Sequence, residues 1–371
     1  MTPFDFHCPT QILFGPGRLA ELGRVVAGYG RRVLVVSDPG IKQVGHTQRG
    51  VDSLIEAGLT TQIFDGVQQN PTTANVEAGC AVAREFRPDV IVAIGGGSSM
   101  DCAKGINFVY SCGGQMRDYW GVGKATAEML PMVALPTTAG TGSEAQSFAL
   151  ISDAQTHVKM ACGDKRAAFR VALLDPELTL TQPPRVTALT GFDALSHAIE
   201  TWVTRKRNTL SLAFARAAWD RLSTALPRIL QEPDNLSLRG EMQLGAMFAG
   251  LAIENSMLGG GHAAANPLTA VYDVAHAEAV GLMLPGVIRR NGVEVESRYR
   301  EIYPAGSQEL ADWVVSLRQT LGLAGTLKEC GVERERIVQL ADDATQQWTG
   351  HFNPVELTAE DFRELYEAAY D

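Results

Sequence analysis

Residues 89–99 have the sequence DVIVAIGGGSS, an apolar run rich in β-branched side chains that ends in three glycines and two serines. A short apolar run bounded by turn residues is typical of a strand buried in a parallel sheet. Glycines after such a strand let the backbone approach a phosphate closely, and a following helix offers free N–H groups and a positive dipole end. The stretch therefore predicts a phosphate-binding loop at Gly95, Gly96, Gly97 and Ser98. A flexible strand-to-helix turn is the alternative, since the Rossmann fingerprint G-x-G-x-x-G is absent.

The same alternation of short apolar runs and helical periods continues on both sides of this loop. Strands are predicted at 33–36, 60–65, 89–94 and 132–135, and helices at 18–29, 47–57 and 73–86. This βαβα rhythm indicates an α/β fold with a parallel sheet and helices on its faces. Residues 4–14 alternate apolar and polar side chains, which predicts an edge strand or a hairpin.

A second loop rich in small polar residues follows the strand at 132–135. It has the sequence PTTAGTGSE and contains Thr137, Thr138 and Thr141. Because open α/β sheets bind ligands along the carboxyl ends of their strands, we expect both loops to line one phosphate–ribose track. A plain solvated loop has the same composition.

Asp38 comes just past the strand at 33–36. A carboxylate in this place can accept hydrogen bonds from an adenosine ribose and would repel a 2′-phosphate. An aspartate before Pro39 and Gly40 also suits an ordinary turn, so both interpretations stay open.

The pattern changes near residues 180–184, where Gln182, Pro183 and Pro184 interrupt the chain. Beyond them clear β-rich runs are missing, and long amphipathic stretches occur at 188–204, 209–231, 237–257, 309–322, 333–348 and 358–370. We therefore predict an α/β domain at residues 1–182 and a helical domain at residues 183–371.

One stretch of the helical half, residues 188–276, carries a candidate metal site. Asp193 and His197 are four residues apart, so on a helix they point from one face at chelating distance. His262 and His276 could complete the set. One carboxylate and three imidazoles suit a divalent first-row metal.

An amphipathic surface helix is the alternative explanation of the Asp193–His197 pair. Asp193, His197, Glu200 and Thr204 fall on one helical stripe, opposite the apolar side chains around Leu195. Polar stripes of this kind are common on helices that face water. Spacing alone does not decide between the two.

Composition limits the classes of function. The chain has 371 residues, of which 45% are hydrophobic and 20% charged, and it carries a formal net charge of -10. An acidic chain is a poor partner for nucleic acid or an anionic membrane, and no apolar run reaches the ~18–20 residues that span a bilayer. Six scattered cysteines and the absence of a recognisable secretory signal predict a cytoplasmic protein.

Together, the motifs resemble the iron-containing (group III) alcohol dehydrogenase family, from about Phe14 to about Asn291. Any one of them alone would be weak evidence, but the set in this order is specific. The resemblance rests on Asn70-Pro71-Thr72, GGGSSMDCAK at 95–104, PTTAGTGSE at 136–144, DPELT at 175–179, GFDALSHAIE at 191–200, and the spacing from His262 to His276.

The resemblance implies that residues 1–182 form a Rossmann-like dinucleotide-binding domain and that residues 183–371 form an all-helical metal-binding and substrate domain. It also implies a homodimer. It implies that Asp193, His197, His262 and His276 bind the metal, usually Fe²⁺ and sometimes Zn²⁺, and that His276 is thereby part of the catalytic site. It places the pyrophosphate of NAD on Gly95–Ser98, the nicotinamide near the threonine loop, and the adenosine ribose near Asp38. The cofactor-binding residues that it implies are Asp38, Asn70, Gly95, Gly96, Gly97, Ser98, Asp101, Thr137, Thr138 and Thr141.

The sequence departs from the family pattern at Asn266. The family commonly has H-x-x-x-H-P, whose second histidine is implicated in proton transfer, whereas here Asn266 precedes Pro267. An amide does not titrate near neutrality, so the catalytic role expected at this position is altered. Gly286 likewise follows Pro285, where the family has a histidine.

The predicted function is hydride transfer between NAD(H) and a small alcohol or aldehyde, assisted by a metal. One alternative is a glycerol-dehydrogenase-like polyol oxidase or a dehydroquinate-synthase-like lyase, which share the glycine loop and a metal. Another is a nucleotide-binding protein without turnover, for which Asn266 is the only support. The expected partner is a small-molecule substrate, with neither nucleic acid nor membrane involved.

Overall fold

The computed structural model describes residues 3–156 and 158–371. The β-strands of this part of the chain are β1 Gln11–Phe14, β2 Arg32–Val36, β3 Thr60–Phe64, β4 Val90–Gly95, β5 Gly121–Val122, β6 Met132–Pro136, β7 Phe148–Ser152, β8 Lys159–Gly163 and β9 Val171–Leu174.

The α-helices of the described residues are α1 Leu22–Val26, α2 Pro39–Gln43, α3 His46–Glu56, α4 Thr73–Phe86, α5 Gly97–Cys112, α6 Pro184–Val203, α7 Thr209–Ile229, α8 Leu236–Glu254, α9 Gly260–Tyr272, α10 His276–Ile302, α11 Ser307–Thr320, α12 Ile337–Thr345 and α13 Ala359–Ala368. Short 3₁₀ segments occur at Arg18–Glu21, Met116–Tyr119, Ser143–Ala145, Lys165–Ala167, Pro176–Thr179, Arg334–Arg336 and Trp348–Phe352.

Six strands form one parallel sheet in the order β1-β9-β6-β4-β2-β3. The central strands are buried along their whole length, which is why their sequences are nearly continuous apolar runs rather than alternating ones. Side chains of β2, β4, β6 and β9 form a hydrophobic core with those of the helical segments near Leu22 and Leu54. The α/β prediction is confirmed.

The DPELT motif has a structural explanation in this unit. Asp175 is fully buried, and its carboxylate accepts hydrogen bonds from the backbone N–H groups of Gly17, Leu19 and Glu177 at 3.0 to 3.1 Å. Burying a polar group is costly unless it is hydrogen-bonded, and these three donors satisfy the carboxylate oxygens. Asp175 therefore joins the chain after β1 to the chain after β9.

A small three-stranded sheet, in the order β5-β8-β7, was not predicted from the sequence. Strand β5 has only two residues, and β7 and β8 mix buried and solvent-facing positions. Short strands with mixed burial lack the long apolar run that identifies β4, which explains why they escape notice.

The strand predicted at residues 4–14 is shorter in the structure, because only Gln11–Phe14 pairs with β9. His7 instead exchanges two hydrogen bonds with Asn255: its N–H donates to Asn255 Oδ1 at 2.8 Å, and its C=O accepts from Asn255 Nδ2 at 3.1 Å. The ring of Phe6 stacks on Phe214, with 5.8 Å between the centroids. Contacts with helical residues thus replace strand pairing at the start of the segment.

Two compact units make up the described chain. One consists of residues 8–182 and 234–243 and contains both sheets; the other consists of 1–7, 183–233 and 244–371, and its described residues form helices and loops. The predicted domain boundary between residues 182 and 183 stays a prediction. Among the described residues, no helix is long and apolar enough to cross a membrane.

Candidate functional site

Helix α6 carries the first two candidate metal ligands. Pro184 occupies its first turn, where the missing N–H of proline does no harm. Every residue from 191 to 203 is buried, so the alternative of an amphipathic surface helix is wrong. His197 Nε2 lies 3.5 Å from Asp193 Oδ1, as expected for two side chains one helical turn apart.

Helices α9 and α10 bring the other two histidines to the same place. His262 lies in the first turn of α9 and His276 is the first residue of α10. Their Nε2 atoms lie 3.8 and 3.9 Å from Asp193 Oδ1. The imidazole of His262 is in ring contact with that of His197 at 5.0 Å and that of His276 at 5.2 Å between centroids. The fold thus gathers the three predicted histidines around Asp193.

The residues present fit a divalent metal. One ligand atom from each of Asp193, His262 and His276 lies within 4.8 Å of the others, and His197 adds a third imidazole. Asp193 Oδ1 and His262 Nε2 are buried and have no hydrogen-bond partner among the described residues. Because buried polar atoms are rarely left unsatisfied, their convergence indicates a site for an ion.

Burial and mutual charge perturb the titration of this cluster. Burial opposes the ionisation of Asp193, but the neighbouring imidazoles outweigh it and hold the pKa of this carboxyl well below its usual range. Burial lowers the pKa of His197 to about 4. Burial also disfavours the charged form of His262, yet Glu200 and Asp193 raise its pKa to about 9. A metal at His262 Nε2 therefore competes with a proton.

Glu200 also belongs to this cluster, although the sequence indicated it only as part of a polar stripe. Its Oε2 lies 2.5 Å from His262 Nδ1, and Oε1 accepts a hydrogen bond from Gly261 N–H at 2.7 Å. The carboxyl is buried, which opposes ionisation, but His262 lowers its pKa. Its spacing of seven residues from Asp193 places both carboxylates on one face of α6, a signal that could have identified it.

Asn266 follows His262 by one turn on α9, and the helix continues through Pro267 to Tyr272. The side chain of Asn266 is half-buried, and its Nδ2 donates a hydrogen bond to Gln347 Oε1 at 3.1 Å. Both partners are carboxamides, so neither can exchange a proton near neutral pH. Gln347 was not identified from the sequence, because nothing in its local pattern connects it to α9.

The two loops predicted to bind the cofactor are neighbours in the parallel sheet. Strands β4 and β6 pair directly, with Gly95 opposite Pro136, and Thr137 N–H donates to Gly95 C=O at 2.9 Å. A Cβ on Gly96 would lie 3.2 Å from Thr138 Oγ1, and one on Gly97 would lie 2.6 Å from Thr141. Glycines are therefore required here for the glycine loop and the threonine loop to pack together.

The start of α5 fits a phosphate group. Gly95 has φ of 156°, a value that favours glycine, and a Cβ there would lie 2.4 Å from Ser99 Oγ. Helix α5 begins after Gly96, a residue that has no side chain with which to cap it. A 16-residue helix whose first turn is uncapped offers N–H groups and a positive dipole end to an anion. This is where the pyrophosphate of a dinucleotide would be held.

Asp38 lies beside the glycine loop, on the neighbouring strand's carboxyl end. Strand β2 pairs with β4, and Asp38 Oδ2 accepts a hydrogen bond from Ser99 Oγ at 3.0 Å. Asp38 Oδ1 accepts from Ile41 N–H at 3.0 Å and so caps α2. The turn interpretation is thus part of its role, and the proximity to the phosphate-binding loop is compatible with the cofactor interpretation.

The remaining predicted cofactor residues differ in their surroundings. Ser98 is half-buried in the first turn of α5, whereas Thr137 is buried and its hydroxyl has no hydrogen-bond partner among the described residues. Asp101 is also buried and accepts a hydrogen bond from Ser143 Oγ at 2.6 Å, so it contacts the threonine loop. Asn70 has φ of 52° in the turn after β3, and no contact with the glycine loop is recorded for it.

Comparisons with known proteins identify the family of this chain. The family model described as iron-containing alcohol dehydrogenase matches residues 9–176, and the model of the C-terminal region of the same family matches 187–370. Alcohol dehydrogenase 4 of Saccharomyces cerevisiae is 34% identical to this chain, over 99% of the chain and 98% of that protein.

Two solved structures show the same fold. A 1,3-propanediol oxidoreductase superposes with a TM-score of 0.95 at 30% identity, over 100% of both chains. A sulfoacetaldehyde reductase from Bifidobacterium kashiwanohense, solved in complex with NAD⁺, superposes with a TM-score of 0.91 at 29% identity, over 100% of this chain and 99% of that one. The chain therefore belongs to the iron-containing alcohol dehydrogenase family, and with it to the oxidoreductases that use NAD and iron to interconvert alcohols and aldehydes.

Proposed function

We propose that Asp193, His197, His262 and His276 hold the catalytic metal of an NAD(H)-dependent enzyme acting on a small alcohol or aldehyde. The single observation that carries this proposal is the convergence of imidazole nitrogens on Asp193 Oδ1, a buried atom left without a hydrogen bond among the described residues. We further propose residues 1–182 as the dinucleotide-binding domain and 183–371 as the metal and substrate domain.

The residues of the chain have distinct tasks in this proposal. When bound, the metal supplies a Lewis acid for the substrate oxygen, and NAD(H) accepts or delivers the hydride. Asp193 lowers the net charge of the metal site, while the buried imidazoles of His197 and His262 exclude water from one side of it. Gly95–Ser98 and the first turn of α5 bind the pyrophosphate, and Thr137, Thr138 and Thr141 contact the nicotinamide end.

A turnover assay tests the proposed function. Metal-loaded protein is given NAD⁺ with a panel of short alcohols and diols, or NADH with the aldehydes, and the NADH absorbance is followed. Reversible oxidation of at least one alcohol supports the proposal. A cyclised product without net NADH formation would identify a lyase, whereas NAD⁺ binding without turnover would identify a nucleotide-binding protein.

We expect His197→Ala to lose the metal and activity together. Removing one of the four proposed ligands weakens the hold on the ion, so the variant should release its metal on dialysis against a chelator at a concentration that wild type resists. Metal content per chain and turnover are the measurements. His351→Ala is the control, because His351 is an exposed histidine of the same unit. Full activity of His197→Ala, or of chelated wild type, would contradict the ligand set.

We expect wild type to prefer NAD(H), because the Asp38 carboxylate would repel the 2′-phosphate of NADP(H). Asp38→Asn removes the charge and keeps an acceptable cap for α2. Repulsion between the carboxylate and the 2′-phosphate is worth about 1–2 kcal/mol. Its loss should narrow the preference for NAD(H) over NADP(H) by roughly tenfold. The ratio of kcat/KM for the two cofactors measures it. A wild type that uses NADP(H) better would show that Asp38 does not lie at the ribose.

The pH profile is the measurement that tests Asn266. We propose that Asn266, held by Gln347, orients a polar group of the substrate instead of relaying a proton. Asn266→Ala should then reduce kcat/KM for the best polar substrate, and Asn266→His should introduce a titration near the ordinary histidine pKa of ~6.5. If the new side chain in Asn266→His relays a proton, the turnover of this variant should exceed that of wild type, since general acid–base catalysis contributes ~10²–10⁴-fold.

The pH–rate profiles of wild type, Asn266→Ala and Asn266→His decide between substrate orientation and proton relay. Gln347→Ala is a matched control, because it removes the partner of Asn266 and leaves α9 unchanged. If kcat/KM for the best polar substrate falls in Asn266→Ala and falls less in Gln347→Ala, the result supports the proposal that Asn266 orients the substrate. Identical rates and identical pH dependence in all variants would mean that position 266 has no catalytic task.

We propose a homodimer as the state in solution. Strand β1 lies at one edge of the six-stranded sheet, and Phe4 and Phe6, upstream of it, are exposed. An exposed edge strand flanked by apolar side chains favours pairing with a second chain. Light scattering of the purified protein tests this, and a monomer mass at working concentration would refute it.

We propose a cytoplasmic location, supported by the state of the cysteines. All six are free thiols in the structure, which suits a reducing compartment. Fractionation of the source cells tests the location, and recovery in the periplasm or the medium would refute it.

A further inference from the structure

A second buried carboxylate, Glu200, contacts the cluster of proposed metal ligands without being part of that set. Glu200 is 3% exposed and lies on α6 seven residues after Asp193. Its Oε2 is 2.5 Å from His262 Nδ1, while the opposite nitrogen of the same ring, Nε2, lies 3.8 Å from Asp193 Oδ1. The imidazole of His262 is thus placed between two carboxylates, one on each side.

The start of α9 is built around the same carboxylate. Oε1 of Glu200 accepts the N–H of Gly261 at 2.7 Å. Burial opposes the ionisation of this carboxyl, but His262 and the N–H groups of Gly261 and Gly259 lower its pKa. Asn353 Oδ1 accepts the N–H of Gly260 at 3.0 Å. N–H groups at the helix N-terminus are therefore satisfied by side chains from elsewhere in the chain.

The three consecutive glycines at 259–261 follow from this arrangement. A Cβ on Gly261 would lie 3.0 Å from Glu200 Oε1, and one on Gly259 would lie 3.2 Å from the same oxygen and 2.9 Å from Asn353 Oδ1. Side chains at these positions would push the carboxylate away from the helix. The glycines allow the backbone of α9 to approach Glu200 closely enough to donate hydrogen bonds.

Asn353 differs from Glu200 in one respect that is useful for an experiment. It is 1% exposed, and its amide exchanges hydrogen bonds with Asn291 at 2.7 and 3.0 Å. It satisfies the start of α9 and belongs to a buried amide pair, but among the described residues it makes no hydrogen bond with the ring of His262. Asn353 therefore accepts a backbone N–H at the start of α9, as Glu200 does, but lacks the hydrogen bond of Glu200 to the imidazole.

We propose that Glu200 is a positioning residue for the metal: it keeps the proton of His262 on Nδ1 and turns Nε2 toward Asp193. This inference rests on the proposed function in that His262 is taken as a ligand. A carboxylate that accepts the Nδ1–H of a ligating histidine fixes its tautomer and orientation and makes the other nitrogen a better donor, and removing such a partner typically weakens metal binding about 10- to 100-fold.

The test compares Glu200→Gln with Asn353→Ala. Glu200→Gln keeps the shape of the side chain and loses the charge, whereas Asn353→Ala disturbs the same helix start and leaves the contact with His262 in place. Zn²⁺ dissociation constants are measured by competition with a chelator, the ligand field by the visible spectrum of the Co²⁺ form, and fold stability by thermal unfolding of the metal-free proteins.

The expected result is selective. Glu200→Gln should bind Zn²⁺ about 10- to 100-fold more weakly than wild type and shift the Co²⁺ spectrum. Asn353→Ala should lose thermal stability and keep a metal affinity much closer to that of wild type. Equally weakened Zn²⁺ binding in both variants would mean that metal affinity depends only on the start of α9, which would overturn the proposal. An unchanged Zn²⁺ affinity and Co²⁺ spectrum in Glu200→Gln would also overturn it.

A measurement on wild type keeps the proposal falsifiable even if Glu200→Gln does not fold. In Zn²⁺-loaded protein labelled with ¹⁵N-histidine, His262 should show a proton on Nδ1 that is protected from exchange with water. A proton on Nε2 would overturn the proposal. Failure of the proposed function is distinguishable, because wild type itself would then bind neither Zn²⁺ nor Co²⁺ at the cluster.

Discussion

Two buried carboxylates, Asp193 and Glu200, set the main constraint on the helical unit. Both lie on α6 in surroundings that exclude water. An ionised carboxylate in such a place must be surrounded by positive charge or hydrogen-bond donors, or it takes up a proton. His262 contacts both, and the first turn of α9 donates to Glu200. The positions at which α9 and α10 begin are therefore tied to these two charges.

The α/β unit depends instead on the close approach of two loops, the glycine loop and the threonine loop. Its glycine and threonine loops follow paired strands and touch at Gly96 with Thr138 and at Gly97 with Thr141. Larger residues at the two glycines would separate the loops and move the first turn of α5. The same glycines that permit this packing leave N–H groups available at the helix start, so one requirement serves both folding and phosphate binding.

The departure from the family pattern at Asn266 has a structural counterpart. Asn266, one helical turn after His262 on α9, donates to Gln347, a residue eighty-one positions away. A histidine at this position would add a titratable group beside the cluster; the amide pair adds hydrogen-bonding capacity without one. The departure thus alters the chemistry available at the site while leaving the helix intact.

Local pattern was sufficient for much of this protein. The apolar runs that became β2, β4 and β6 were predicted to within a residue or two, because buried parallel strands need continuous apolar sequence. The more exposed edge strand β3 was predicted as closely. The spacing of Asp193 and His197 was enough to place them together, since the pitch of a helix is the same everywhere. Helices α9 and α10 were not predicted, because glycine, alanine and internal prolines hide their periodicity.

Only the tertiary structure decided which distant residues meet. The surface-helix alternative for α6 could be excluded only when its neighbours were known to bury it, since a polar stripe looks the same whether it faces water or a metal cluster. The roles of Glu200, Gln347 and Asn353 depend on partners 62 to 93 residues away. Local periodicity carries no information about such contacts, because they arise from the packing of whole helices and not from the pitch of any one of them.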